Sequence, residues 1–323
     1  MSIDRRDFLK GALAGGLMTT VGVAEARPNK QMPADAVGML YDSTLCIGCK
    51  ACVAACKQAN DLPPVFSTDE HMWDTSLDTS AYTFNVIKVY TDGDAKTKDA
   101  ETNGYAFMKF SCLHCVDPSC VSACPVTAMT KHPETGIVEY DPDACIGCRY
   151  CVAACPFGMP KFQYDKALPK IAKCELCRHR MKDGHYAACA EVCPTGATLY
   201  GKVADLKKEA ARRMALKPGA ATTFPRGNIS GGPDMSYPGT ANHYVDYVYG
   251  EKELGGTQMI KLAGVPFQKL GQPTLPERSY AADSETLQHT LYGGMIMPLA
   301  FLGVLGYLAK RNADHDDDDK KGD

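Results

Sequence analysis

The amino-acid sequence predicts an α+β protein with two small cysteine-rich modules, a C-terminal extension and one membrane-spanning helix. Three observations predict this organisation. All 16 cysteines lie between Cys46 and Cys193, in four tight groups. Short alternating runs of apolar and polar residues, typical of strands, lie between and after these groups. Near the C-terminus, the uncharged run Leu291–Ala309 is about as long as a bilayer core is thick.

The composition is that of an ordinary folded chain, with 323 residues, 45% hydrophobic residues, 23% charged residues and a net charge of −3. These values exclude a disordered chain, a collagen and a strongly basic protein that binds nucleic acid. A mean hydropathy of −0.23 excludes a protein with many membrane spans, although not one with a single span. The length suggests about two compact units with appendages.

The N-terminal segment predicts an export signal. Arg5 and Arg6, followed by Phe8-Leu9-Lys10, precede an uncharged run that ends in the small-x-small cleavage site Ala24-Glu25-Ala26. The run is too short to cross a bilayer core of ~30 Å. We therefore expect residues 1–26 to be a twin-arginine signal peptide rather than part of the fold. The alternative is an amphipathic helix that happens to contain two arginines.

The four cysteine groups share one spacing rule. Groups one and three read C-x2-C-x2-C-x3-C, whereas the middle spacing widens to four residues in group two and to eleven in group four. The last spacing is three residues in every group, and the alternating order indicates an internal duplication. The groups are Cys46, Cys49, Cys52 and Cys56; Cys112, Cys115, Cys120 and Cys124; Cys145, Cys148, Cys151 and Cys155; and Cys174, Cys177, Cys189 and Cys193.

This spacing is the one with which bacterial ferredoxins bind two [4Fe–4S] cubes, since three cysteines hold one cube and the fourth holds its neighbour. Gly48 and Gly147, just before the second cysteine, allow the tight loop and let backbone amides approach the sulfurs. We expect the fourth cysteine to begin a short helix, with the following proline in its first turn. The sequence thus predicts two ferredoxin-like modules with four [4Fe–4S] clusters, in which all 16 thiolates are ligands.

Three other uses of the cysteines explain the spacing less well. Structural zinc needs two C-x2-C pairs, so a third cysteine at the same spacing is surplus. Disulfides suit an exported protein, but eight of them leave the repeated spacing unexplained. Group two could hold a [3Fe–4S] cluster if one ligand failed, although all four of its cysteines are present.

The pairing of the groups follows from their separation. Groups two and three are 20 residues apart (125–144), with a predicted strand at 136–140, which is the size of one ferredoxin unit. They should share one pair of cubes, and groups one and four form the other pair by elimination. The predicted ligand sets are set A (Cys46, Cys49, Cys52, Cys193), set B (Cys56, Cys174, Cys177, Cys189), set C (Cys112, Cys115, Cys120, Cys155) and set D (Cys124, Cys145, Cys148, Cys151).

The remaining segments complete the predicted organisation. We expect strands at 82–90, 105–110 and 257–262, a helix at 204–216 and irregular structure at 218–239. The predicted domains are the signal peptide (1–26), the electron-transfer core (27–205), an extension that wraps the core (206–286), a transmembrane helix (288–310) and a disordered acidic tail (311–323).

The C-terminal span has a predicted orientation. Its proline and glycines are tolerated in lipid. Lys310 and Arg311 follow at once, so the positive-inside rule places the C-terminus in the cytoplasm and the body on the periplasmic side of the bacterial inner membrane. The alternative is a buried helix of a soluble domain.

No catalytic site is predicted, because no nucleophile–base pair or pair of carboxylates stands out and no thiol is left over. His114, inside the Cys112–Cys115 loop, is expected at the surface or hydrogen-bonded near a sulfur, and Trp73 at a packing contact or interface. Basic residues that flank the cysteines are expected to be solvated or to offset cluster charge: Lys50, Lys57, Arg149, Lys161, Lys173 and Arg178.

The sequence resembles the four-cluster ferredoxin-like electron-transfer subunits of membrane oxidoreductases, which accompany molybdopterin enzymes such as formate dehydrogenase and some [NiFe] hydrogenases. The stretches that carry the resemblance are 38–56, 112–125, 215–219, 249–258 and 288–300. Among these subunits, they point to that of a membrane-bound [NiFe] hydrogenase. One position departs from the pattern: Lys57 stands where groups two to four have proline, which should alter only the local turn.

The resemblance implies a function. Electrons from periplasmic H2 oxidation leave the hydrogenase large subunit, pass through its small subunit and enter this chain. They leave it for a multispan membrane subunit that reduces quinone. The alternative is the same role beside a molybdopterin oxidoreductase of the formate dehydrogenase or polysulfide/DMSO reductase type. An autonomous reductase is a third hypothesis, and it needs catalytic groups that the sequence does not offer.

Overall fold

The structure is a computed structural model that describes residues 27–71, 76–231 and 235–319, apart from several side chains, among them those of 293–294, 296–298 and 311–319. The predicted signal peptide and Trp73 lie outside these residues. Residues Asn29–Ala281 form one compact unit, and residues 27–28 belong with 282–319 to a second.

The described residues contain twelve strands and seven α-helices. In chain order these are β1 (Val37–Asp42), α1 (Ala51–Ala59), β2 (Asn85–Thr91), β3 (Thr97–Lys98), β4 (Gly104–Ser111), α2 (Ser119–Ser122), β5 (Met129–Lys131), β6 (Val138–Tyr140), α3 (Tyr150–Ala154), β7 (Lys161–Phe162), β8 (Ile171–Ala172), α4 (Arg178–Met181), α5 (Ala188–Glu191), β9 (Thr198–Lys202), α6 (Val203–Met214), β10 (Ala221–Asn228), β11 (Met235–Thr240), β12 (Met259–Leu262) and α7 (Tyr280–Asp319).

The largest sheet has five strands in the order β11-β10-β9-β1-β12. Strand β1 is antiparallel to β9 and parallel to β12, and β10 is parallel to β9 and antiparallel to β11. Since β1 precedes cysteine group one and β9 follows group four, their pairing brings these two groups together. Helix α1 of group one also packs against α5 of group four.

Groups two and three meet in the same way. Helix α2 of group two packs against α3 of group three. The antiparallel hairpin β5–β6 lies between the two groups, and the short pair β7–β8 follows group three. The two helix pairs, together with the sheets next to them, give the ferredoxin-type α+β content that the sequence predicts.

A three-stranded sheet, in the order β2-β4-β3, lies between groups one and two in the sequence. It confirms the strands predicted at 82–90 and 105–110, with ends shifted by up to three residues. The hydroxyl of Tyr41 on β1 donates a hydrogen bond to the carbonyl of Phe107 on β4, at 2.8 Å. Every residue of strand β4 is buried except Tyr105. The one lysine of this strand, Lys109, therefore lies in the interior of the protein.

Helix α6 covers one face of the main sheet. Its buried residues Val203, Leu206, Ala210 and Arg213 are spaced three, four and three residues apart, which places them on one side of the helix. The helix predicted at 204–216 is confirmed. The expected core boundary at residue 205 falls inside this helix, and the extension after it supplies three of the five strands of the main sheet.

The irregular structure predicted for 218–239 is wrong, because β10 and β11 form an antiparallel ladder there. The prediction rested on prolines and glycines, which seldom occur within sheets. Pro225 is tolerated because β10 pairs with β9 only at Gly227 and Asn228. On the side of Pro225 that faces away from β11, no strand pairs with it. Pro238 lies on β11, at the edge of the sheet.

Helix α7 covers the whole of the predicted span at 288–310. Within the residues that the structure describes, no helix is both long enough and apolar enough to cross a membrane. Six side chains inside the predicted span are not among those described. The helix continues to Asp319 and so includes most of the tail expected to be disordered, because no glycine or proline follows Gly306 before that point.

Candidate metal centres

All 16 cysteines lie in the described part of the chain, and all are free thiols. Fourteen are buried or half-buried, and only Cys49 and Cys148 are exposed. Both are the second cysteine of their C-x2-C-x2-C runs, in groups one and three. Since no disulfide joins any of these thiols, the structure gives no support to the disulfide alternative.

The four groups share one backbone turn. In each group the residue just before the second cysteine has a positive φ: 68° at Gly48, 49° at His114, 71° at Gly147 and 51° at Leu176. This turn directs loop amides at the sulfurs, since Gly147 N–H donates to the Sγ of Cys145 and Leu176 N–H to the Sγ of Cys174, both at 3.4 Å. The role predicted for Gly48 and Gly147 is confirmed for the backbone turn. Groups two and four make the same turn without glycine, at a steric cost of about 1–2 kcal/mol per residue.

Gly48 and Gly147 predict unequal effects of alanine substitution. A Cβ at Gly48 would lie 2.4 Å from the buried ring of Phe107, whereas one at Gly147 would lie 3.8 Å from Phe162, which is ordinary contact. Both variants carry the cost of an alanine at positive φ, but only Gly48→Ala adds overpacking, worth about 1–3 kcal/mol. We expect thermal unfolding under anaerobic conditions to begin lower in Gly48→Ala than in Gly147→Ala. Equal midpoints would contradict the close packing of the group-one loop on Phe107.

The position predicted for the short helices needs correction. The fourth cysteine does not begin them. In groups two, three and four, a helix of four or five residues carries the third cysteine and ends before the fourth. The residue that precedes a proline is biased away from the α conformation, and Cys155, before Pro156, has an extended ψ of 112°.

Group one differs because Lys57 replaces this proline. Helix α1 runs on to Ala59 and therefore includes the fourth cysteine, Cys56. The Lys57 ammonium is buried and donates to the carbonyls of Pro63 and Tyr82, at 3.0 and 2.6 Å, and to the Thr83 hydroxyl, at 2.9 Å. Lysine in place of proline at position 57 therefore lengthens helix α1, and its hydrogen bonds hold the chain that follows the helix. This effect is larger than the local change expected from the sequence.

Three thiols of set A and all four of set B lie near one another. Burial raises the pKa of Cys52 to about 12, and Cys46 and Cys193 of set A add to the rise. Burial also raises the pKa of Cys174 well above its ordinary value, with further contributions from Cys56, Cys189 and Cys177 of set B. Cys49 is the remaining member of set A.

Sets C and D gather in the same way. Burial raises the pKa of Cys115 well above its ordinary value, and Cys155, Cys112 and Cys120, its partners in set C, add to the rise. Burial raises the pKa of Cys151 to about 11, and the added contributions come from the three partners of set D. These partners are Cys124, Cys145 and Cys148.

Thiols of different sets are neighbours at three places. Cys189 of set B raises the pKa of Cys52 of set A. Cys112 of set C raises the pKa of Cys174 of set B. Cys151 of set D raises the pKa of Cys120 of set C. Thiols of sets A and B, of sets B and C, and of sets C and D are therefore close enough for their charges to interact, and the two exposed thiols belong to sets A and D.

The donor sets fit a cluster better than a single ion. The four thiols of set B line one cavity, together with Asn85 and Lys109. No three cysteine, histidine or acidic side chains of the described residues converge closely enough to hold a single metal ion, which zinc requires. Thiols buried in apolar surroundings stay protonated unless a cationic group compensates their charge, and a [4Fe–4S] cluster supplies such a group.

Two residues near the thiols have roles that the sequence did not predict. His114 is not at the surface: it is fully buried, and its Nδ1 accepts a hydrogen bond from Val138 N–H, at 3.0 Å. Burial, with the charges of Lys173 and Lys131, holds the His114 pKa well below its ordinary value, so the ring is neutral. Lys109 is fully buried beside sets A and B. Only its place in an alternating strand pattern was visible in the sequence.

Comparison with known proteins gives the family. Residues 104–203 match the model of the 4Fe-4S dicluster domain, and residues 2–22 match that of the twin-arginine translocation pathway signal sequence. The sequence is 46% identical over 325 residues to the hydrogenase-2 operon protein HybA of Escherichia coli O157:H7, an alignment that covers 98% of each protein. This protein belongs to the HybA family.

This HybA-family protein is also similar to subunits of a formate dehydrogenase and of a dimethyl sulfoxide reductase. It is 31% identical over 215 residues to the formate dehydrogenase-O iron-sulfur subunit of E. coli K12, an alignment that covers 67% of each protein. It is 36% identical over 195 residues to a subunit of the anaerobic dimethyl sulfoxide reductase of the same strain, covering 59% of this sequence and 86% of that one. The predicted identity as an iron–sulfur electron-transfer subunit is confirmed.

Proposed function

We propose that this chain carries electrons from a periplasmic [NiFe] hydrogenase to a quinone-reducing membrane subunit, through four [4Fe–4S] clusters. The observation that carries the proposal is that neighbouring thiols connect set A to B, B to C and C to D, with an exposed cysteine in set A and another in set D. In this proposal the four sets form a row from A to D, which suits long-range electron transfer between two partners, one at each end.

The chain's own residues hold and separate the clusters in this proposal. Sets A, B, C and D each supply four thiolates to one cluster, and each fourth cysteine, as in ferredoxins, serves the neighbouring group. When bound, such clusters accept and release single electrons. The protein sets their reduction potentials through charge, hydrogen bonds to sulfur and burial. It needs no catalytic site of its own, because it neither binds H2 nor reduces quinone.

Exposed apolar side chains at the two ends support docking of partners there. Ile47, beside Cys49 in set A, is 52% exposed, and Ile146 and Tyr150, beside Cys148 in set D, are 66% and 61% exposed. One end would face the small subunit of the hydrogenase, which receives electrons from the large subunit. The other would face the membrane partner. The name of the hydrogenase-2 operon relative supports a hydrogenase as the electron source.

We propose that α7 anchors the chain in the inner membrane by a single span at 288–310. Apolar side chains along it are exposed, among them Leu291 at 59%, Leu299 at 60% and Leu302 at 61%. Lys310 and Arg311 follow the apolar run and would lie on the cytoplasmic side. The signal sequence at residues 2–22 supports export of the folded, loaded body to the periplasmic side.

Purification of the full chain in mild detergent, with metal analysis of the proteins that accompany it, tests this proposal. We expect nickel and a hydrogenase large subunit to co-purify with the chain. Molybdenum with a molybdopterin subunit would instead establish the alternative, which the likeness to the formate dehydrogenase and dimethyl sulfoxide reductase subunits favours. Substrate turnover by the isolated protein would revive the hypothesis of an autonomous reductase.

A further inference from the structure

Lys109 is a fully buried ammonium group without an oxygen or nitrogen hydrogen-bond partner. It lies on β4, and its side chain is 0% exposed. Within the described part of the chain, no oxygen or nitrogen acceptor bonds its Nζ, and the hydrogen-bonding group beside it is the Cys189 thiol. An unpaired charge in such a place costs several kcal/mol, so buried charges in proteins are paired or bind an ion. The position therefore calls for an anionic partner.

The thiols around Lys109 belong to two different ligand sets. Burial raises the pKa values of Cys52 in set A and of Cys56 and Cys177 in set B. The positive charge of Lys109 opposes that rise at all three thiols. Conversely, Cys189 of set B is the strongest of the groups that raise the pKa of Lys109. Lys109 also lines the cavity that set B surrounds. The ammonium thus lies where the first two members of the row meet.

The other buried lysines do not share this situation. Lys57 and Lys173 donate to backbone carbonyls. Lys261 donates to the Oε1 of Gln272, at 2.7 Å, and lies over the rings of Phe110 and Tyr249. Lys109 is therefore the one buried lysine of the described residues whose charge is left for a bound group to compensate.

We propose that Lys109 is a positioning residue that tunes electron transfer, by donating its N–H groups to cluster or cysteine sulfur at sets A and B and raising the reduction potentials of both clusters. The inference rests on the ligand sets proposed above. A [4Fe–4S] cluster with four thiolates carries a charge of about −2, which becomes about −3 on reduction. A fixed cation in a medium of low dielectric constant stabilises the more negative state more strongly. Sets C and D have lysines too, but Lys131 and Lys173 are bonded to carbonyl oxygens.

An anaerobic redox titration of the full-length chain, followed by electron paramagnetic resonance, tests the proposal. The variants are Lys109→Met, which removes the charge at similar volume, and Lys109→Arg, which keeps it. In Lys109→Met we expect the ratio of reduced to oxidised cluster at a fixed potential to fall at least tenfold for two of the four clusters, a midpoint shift of about 59 mV. Lys109→Arg should retain most of the original midpoints. Lys261→Met is the control for loss of a buried lysine that faces aromatic rings, and it should change these ratios by less than threefold.

Iron content separates the possible failures. If Lys109→Met retains its full iron and all four midpoints stay within threefold of the original ratios, the tuning role is refuted. If that variant loses iron, Lys109→Gln provides the same test with an N–H donor but no charge, and unchanged midpoints there refute it equally. If the unmodified chain itself holds far fewer than about 16 iron atoms, the proposed ligand sets fail, which is a separate result.

Discussion

Replacing Cys155 by serine is expected to disrupt the cluster of set C while the clusters of sets A, B and D remain. Cys155 stands last in group three, yet the thiol that adds to the effect of burial and raises its pKa is Cys112 of group two. A serine hydroxyl is a much poorer ligand for iron than a thiolate. We expect a loss of about one iron atom, with conversion to a [3Fe–4S] cluster, or of about four with loss of the whole cluster.

Iron analysis and electron paramagnetic resonance of the anaerobically purified variant measure this outcome. Cys193→Ser is the matched variant from the other module, and it should affect the cluster of set A, whose member Cys46 it neighbours. Loss of the set A cluster in Cys155→Ser would contradict the exchange of the fourth cysteine between groups two and three.

Replacing Arg213 by methionine is expected to lower the free energy of unfolding by about 3–5 kcal/mol. The guanidinium bonds the Asp42 carboxylate at 2.8 Å, and both side chains are fully buried. It also bonds Glu209, one turn earlier on α6, at 2.8 Å. Without Arg213, the Asp42 carboxylate would keep only neutral donors such as the Tyr244 hydroxyl. Asp42 ends β1 just before group one, so its displacement would also loosen set A.

Thermal unfolding followed by circular dichroism under anaerobic conditions measures this loss, and we expect the midpoint to fall by about 6–10 °C. Arg212→Met is the matched control, because Arg212 is the adjacent residue and also pairs with Glu209, but its side chain is 39% exposed. Exposed pairs contribute about 0–1 kcal/mol. Similar midpoints for the two variants would contradict a structural role for the Arg213–Asp42 pair.

The parts of this molecule that the sequence predicts well depend on local pattern. Cysteine spacing gives the four groups, and the distance between groups two and three predicts that they lie together, as the packing of α2 against α3 shows. Alternating runs give β2 and β4. In each case the residues that determine the feature lie within a short stretch of chain, so that their effect is visible without knowing the fold.

The features that were missed depend on contacts between distant residues. Strand β10 forms despite Pro225 because β10 pairs with β9 only beyond that proline. No local sequence pattern reveals where this pairing begins. Arg213 and Asp42 are 171 residues apart in the chain. Lys109 looks like any lysine of an alternating strand, and only the packing of sets A and B around β4 distinguishes it.

The central claim is that this chain holds four [4Fe–4S] clusters in one row. Determination of iron and acid-labile sulfide in the full chain, purified without oxygen, tests it most directly, with Mössbauer spectroscopy to identify the cluster type. The ligand sets predict about 16 iron and about 16 sulfide per chain, all in [4Fe–4S] form. About eight of each, or iron without sulfide, would contradict the claim.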